Sequence, residues 1–184
     1  MKKHLALLLA FSLFWSSVVW ATSLQYTLPG TSVTFADSGG NIVLAFSNKA
    51  SGTGQISALY DKGTGDQPSL WQAQCSISLT GTNVVGAQIE YYVSTSQDGT
   101  TMDGGLTLNS SFSSDKRRNL YLIGTLQVDQ TTSNTTMIAT FRNIQLPARY
   151  FASGFWNATS LPTETSTTKH KCVFTPMPYR MQNT

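Results

Sequence analysis

Apolar and polar residues alternate most clearly from Trp71 to Thr80, where Trp71, Ala73, Cys75, Ile77 and Leu79 interleave with Gln72, Gln74, Ser76, Ser78 and Thr80. A period of two sends successive side chains to opposite faces of an extended chain. The run therefore predicts a half-buried strand with Cys75 pointing inward. Gly81-Thr82-Asn83 ends it. Runs of β-branched and aromatic residues between turn residues predict further strands at Val33–Phe35, Ile42–Ser47, Gln55–Tyr60, Gln88–Thr95, Leu106–Phe112, Leu120–Val128, Thr136–Arg142, Tyr150–Trp156 and Lys171–Thr175. Turns are expected at Asp37-Ser38-Gly39-Gly40, Gly63-Thr64-Gly65-Asp66, Asp98-Gly99, Asp103-Gly104-Gly105 and Ser113-Ser114-Asp115, because Gly accepts positive φ and Asp tolerates it. The stretch Thr159–Thr168, rich in threonine around Pro162, reads as a surface loop before the last strand.

No segment beyond residue 21 sustains a 3.6-residue apolar period, so almost no helix is expected. Many short strands without helices require two packed sheets or a closed barrel. The expected fold is all-β, a single antiparallel β-sandwich, with jelly-roll connections as one way of wiring it.

The N-terminal pattern is different. Lys2 and Lys3 precede an apolar run from Leu5 to Trp15, and Val19-Trp20-Ala21 stands ahead of Thr22. This grammar predicts a secretory signal peptide over residues 1–21 with cleavage after Ala21. The run is about half of the roughly 20 residues a bilayer-spanning helix needs, so no stable membrane span is expected. An uncleaved anchor from Leu5 to Val19 is the alternative. Residues 22–184 then form one domain, in which 22–30 is either an ordered first strand or an extended N-terminal arm.

Charge changes the picture little once the signal is set aside. The full chain holds 12 Lys and Arg against 9 Asp and Glu; without Lys2 and Lys3 the balance is close to neutral. Attraction to nucleic acid is not indicated. Sparse charge with abundant Ser, Thr, Gly, Asn and Gln suits a secreted or extracytoplasmic protein in the periplasm, at a cell surface or on a virion. The two cysteines, Cys75 and Cys172, predict one disulfide in an oxidising compartment, closing a loop of about 100 residues at roughly 4–5 kcal/mol. Two buried thiols that never meet are the alternative. Neither Cys has the spacing of a redox or zinc motif.

Catalytic chemistry is hard to assemble. Asp37-Ser38-Gly39-Gly40 is similar to the nucleophile motif of trypsin-like proteases, but that family requires a His and an Asp upstream of the serine, whereas the only histidine left after processing is His170, near the other end, and Asp37 opens a turn, so it is read as a turn. His170, the only histidine after processing, lies between Lys169 and Lys171 and reads as structural or solvated. Glu90 is expected on the solvated face of its strand, and Lys116-Arg117-Arg118 as solvated charge at a loop. The loop from Asp98 to Asp103 could offer oxygens to calcium, but it lacks the acid spacing of an EF-hand, so a metal-free hairpin loop is favoured. Thus no catalytic residue, cofactor or metal site is expected. Asn109, Asn134 and Asn157 begin glycosylation acceptor triplets and are read as unmodified. Trp71, Trp156 and Tyr92, with Tyr91, Tyr150, Phe151 and Phe155 nearby in sequence, are candidates either for stacking on sugars or for filling the core.

From about Gln88 onward the sequence resembles virion structural proteins of tailed phages and metagenomic phage sequences. Ile89-Glu90-Tyr91-Tyr92-Val93 carries this, followed by Asp98, Asp103-Gly104-Gly105, Leu120-Tyr121-Leu122-Ile123-Gly124-Thr125-Leu126-Gln127-Val128, Gly154-Phe155-Trp156-Asn157-Ala158-Thr159 and Phe174-Thr175-Pro176. The resemblance implies a small β-sandwich that builds or decorates a particle surface and has no catalytic residues to transfer. Its departure is the export signal. Two functions follow as expectations. One is a non-enzymatic exported structural or surface-interaction protein whose partners are copies of itself or other surface or virion proteins. The other is a secreted carbohydrate-binding module with glycan partners.

Overall fold

A computed structural model describes residues 30–64 and 68–177. The expected signal peptide and all but the end of the N-terminal arm lie outside the described residues.

Eleven strands and one helical turn are present among the described residues. They are β1 (Val33–Ala36), β2 (Ile42–Val43), β3 (Thr53–Ile56), β4 (Tyr60–Asp61), β5 (Leu70–Ile77), β6 (Gln88–Ser96), β7 (Ser111–Phe112), α1 (Ser114–Arg117), β8 (Tyr121–Gln127), β9 (Met137–Gln145), β10 (Tyr150–Asn157) and β11 (Lys171–Pro176). They form a five-stranded sheet in the order β2-β1-β11-β5-β9 and a six-stranded one in the order β7-β3-β10-β6-β8, with β4 beside β10. Every pairing is antiparallel except β1 with β2.

Setting aside the two-residue strands, β1-β11-β5-β9 faces β3-β10-β6-β8. The chain changes sheet at each step between these strands except from β6 to β8. That is jelly-roll wiring, one of the two-sheet solutions for a chain of many short strands.

Alternation decides what lies between the sheets. The odd positions of β5 are buried, as are Phe35, Phe174, Ile89, Tyr91, Phe151 and Phe155 from the facing strands. Aromatic rings fill the centre: Phe151 lies 5.3 Å from Phe174 and 5.4 Å from Trp71, and Phe46 stacks on Phe155 at 4.7 Å. Cys75 and Cys172 are joined in this core, as the count of two cysteines predicts.

A second apolar cluster covers the opposite face of the six-stranded sheet. Ala152 and Trp156 of β10, Tyr92 of β6 and Ile56 of β3 meet Met102, Leu106, Phe112 and Leu120 from the connection between β6 and β8. Gly54 makes the closest approach: a Cβ there would come within 2.4 Å of the Phe112 ring. Both faces of this sheet are therefore covered. The outer face of the five-stranded sheet is open.

Several expected strands are shorter than their apolar runs. Only Ile42–Val43 of the segment Ile42–Ser47 pairs, although Leu44 and Phe46 stay buried. Gln55–Tyr60 divides into β3 and β4, and of Leu106–Phe112 only Ser111–Phe112 joins a ladder. In each case the side chain is used for the core while the backbone turns away from its neighbour. β9 runs further than expected, to Gln145, past Asn143 at φ 59°. No helix among the described residues is long and apolar enough to cross a membrane.

Candidate binding face

The three residues that were candidates either for stacking on sugars or for filling the core are buried. Trp71 is 2 % exposed, Tyr92 5 % and Trp156 6 %. Trp71 faces the main core and its indole N–H donates to the Pro68 carbonyl at 2.8 Å. Tyr92 and Trp156 belong to the second cluster, where large aromatic area is worth more buried than presented to water. Trp156 is closed further by Arg117, whose guanidinium lies 4.9 Å from the ring centroid, a cation–π contact. Arg117 also pairs with Glu90 at 2.9 Å, and the Tyr92 hydroxyl donates to the same Glu90 carboxylate. Glu90 sits opposite Trp156 in the β6–β10 ladder, which explains the convergence. Thus Glu90 is not the solvated charge that alternation suggested, nor Arg117 the free charge its place in a loop suggested. Burial, with the neighbouring Glu90, pushes the Tyr92 phenol above its ordinary range.

The remaining polar candidates are each spent on local structure. Asp98 accepts the amides of Thr100 and Thr101, both at 2.8 Å, and the Ser96 hydroxyl at 3.0 Å. The Thr101 and Thr100 amides, then the Ser96 hydroxyl, hold its carboxyl far below the usual range. All three donors meet the same oxygen, Oδ1. Asp103 accepts the Thr95 hydroxyl. Among the described residues no three His, Cys, Asp or Glu side chains gather in a metal-binding group.

His170 is fully buried, with Nδ1 3.4 Å from Asp37 Oδ2. Neither ring nitrogen makes a hydrogen bond among the described residues. Burial raises the Asp37 pKa, but His170 and the Ser47 amide at 2.9 Å outweigh that and leave it below the ordinary value. The flanking Lys169 pairs with Glu164 at 2.8 Å.

Among the described residues, the outer face of the five-stranded sheet is accessible. Its registers place Thr34, Val173, Gln74 and Thr140 in one row across four strands, and Ala36, Lys171, Ser76 and Ile138 in the next. A groove of about 330 Å³ crosses it, lined by Gln74, Ser76, Thr136, Ile138, Thr168, Lys169 and Lys171. That lies at the lower end of the sizes small-molecule sites have, about 300–1,000 Å³. Strands β5, β9 and β11 supply the floor, while Thr136 and the loop before β11 supply the rim. The Ser76 hydroxyl donates to the Lys169 carbonyl at 3.0 Å, tying that loop to the floor. Ile138, 63 % exposed, is the apolar element of the lining. Gln74 and Ser76 were legible as the polar side of the strongest alternation; Ile138 and Lys171 become neighbours only through strand register.

No family model matches the chain, and no curated protein matches it in sequence. Among solved structures, TmCBM61 in complex with β-1,4-galactotriose is similar at 7 % identity and a TM-score of 0.29, over 88 % of this chain and 90 % of that one. A Clostridium thermocellum xylanase 10B structure, CBM22-1 and GH10 modules with xylohexaose, is similar at 12 % identity and a TM-score of 0.27. There the match covers 86 % of this chain and 29 % of the other. Likenesses this distant carry no argument about function.

Proposed function

We propose that this chain is an exported, non-catalytic recognition domain that binds a saccharide on the open face of its five-stranded sheet. The groove carries the reading. Its lining combines an amide, hydroxyls and ammonium groups around one exposed aliphatic side chain. Sugars require that mixture: donors and acceptors for hydroxyls, and a small apolar surface for the C–H face of a pyranose ring. Export accords with the N-terminal pattern and with a disulfide of the kind that oxidising compartments favour. The jelly-roll order favours neither of the two expected functions, since viral capsid and lectin domains share it. The open groove supports the saccharide reading over a particle-building role.

The test is a glycan array probed with the folded chain and with Ile138→Asp, which puts a charge on the apolar wall of an already exposed site. Binding to a defined set of saccharides, lost in the variant at unchanged circular dichroism, is expected. An array on which the native protein binds nothing would refute the reading.

A further inference from the structure

We propose that the groove prefers acidic saccharides, with Lys171 receiving the carboxylate of a uronic acid unit. The inference rests on the glycan reading and gives it a substrate class. Lys171 stands on the groove floor, exposed, and its ammonium has no ion-pair or hydrogen-bond partner among the described residues. Four other cations of the fold are committed, whereas Lys49, Lys116, Arg118 and Arg142 lie outside the groove lining. Arg117 holds Glu90, Arg149 forms a two-pronged pair with Asp61, and the Lys62 ammonium donates to the Leu146 and Pro68 carbonyls. Lys169, on the groove rim, donates to both Glu164 oxygens, at 2.8 and 3.0 Å, and to the Asn134 carbonyl at 3.0 Å.

No carboxylate is among the seven lining residues, so nothing inside the groove competes with a ligand's negative group for Lys171. Ser76, directly opposite Lys171 in the β11–β5 ladder, and Ile138, directly opposite Ser76 in the β5–β9 ladder, complete the floor. A sugar ring lying on Ile138 is therefore within two strands of the ammonium. Strands in a sheet are spaced at about 4.7–4.9 Å, a span that a pyranose and its carboxylate can cover. Lys suits this role as a mobile point charge, able to follow a carboxylate on a flexible ligand.

Isothermal titration with galacturonate and galactose oligosaccharides of equal length tests this, using the native chain, Lys171→Gln and, as a remote basic control, Lys116→Gln. The acidic oligosaccharide should bind roughly two- to fivefold more tightly, a modest factor because the pair forms at an exposed site. The preference should shrink as salt is raised from about 0.05 to 0.5 M. Lys171→Gln should erase the preference while Lys116→Gln keeps it. Equal affinity for the two ligands, or a preference that survives in Lys171→Gln, would overturn the inference and leave the glycan reading intact. No heat with either ligand would remove both.

Discussion

Cys75 and Cys172 face each other directly in the ladder between β5 and β11, with their Cα atoms 4.0 Å apart and both side chains fully buried. The bond therefore joins residues 97 positions apart in sequence at the middle of the five-stranded sheet. It ties the last strand, which carries Lys171 and separates β1 from β5, to the centre of the fold.

Chain-entropy reasoning assigns a loop of this length about 4–5 kcal/mol. Replacing both cysteines with alanine should lower stability by about 4 kcal/mol and the melting temperature by roughly 10 °C. Urea unfolding monitored by circular dichroism measures it. An undiminished midpoint would mean that the pair contributes nothing to the native balance.

Arg117 shields Trp156 and holds Glu90, although it lies on a single helical turn and its side chain is about a third exposed. Arg117→Ala should red-shift tryptophan emission and cost about 0.5–1.5 kcal/mol. The spectral change should vanish when Trp156 is also replaced by Phe. A shift that persists in the double variant would point to another tryptophan.

Gly54→Ala should unseat Phe112, because the new Cβ has no room beneath the ring. A cost of about 1–3 kcal/mol is expected, typical of overpacking. Phe112→Leu in the same background should recover part of it, since a smaller side chain relieves the contact. Thermal unfolding of the three variants decides.

Acid should loosen the fold. Asp37 binds its proton more weakly in the folded chain than in the unfolded one. Its contribution is therefore complete above the unfolded value near 3.9 and is lost as pH falls through the lower folded value. Stability should be level near neutrality and decline below about pH 4. Asp37→Asn should reduce that decline, leaving the share of Asp61, Asp98 and Glu164, whose carboxyls are also held below their ordinary range, while keeping the Ser47 hydrogen bond, which an amide oxygen can also accept. An unchanged acid slope in the variant would assign the decline to other carboxyls.

The sandwich was legible because the period-two signal of Trp71–Leu79 and the aromatic-rich runs around Tyr91 and Phe155 each turn alternate side chains into the space between the sheets. Burial needs only local alternation. The second cluster was not legible, since the same alternation that turns Phe151 and Phe155 inward turns Trp156 outward, and nothing local says that a loop will cover it. Glu90 was misread for this reason: its partner Arg117 is 27 positions away, on a turn whose placement depends on Phe112 and Leu120. The groove escaped in the same way. Gln74, Ile138 and Lys171 come from three strands distant in sequence, and register alone makes them adjacent.

The binding face is tested most directly by a two-dimensional amide NMR titration with the saccharides found on the array. Saturable shifts gathered at Gln74, Ser76, Ile138 and Lys171 are predicted, with the amides of Trp156 and Tyr92 unmoved. Shifts centred on Trp156 and Arg117, or no shifts at saturating ligand, would contradict the account.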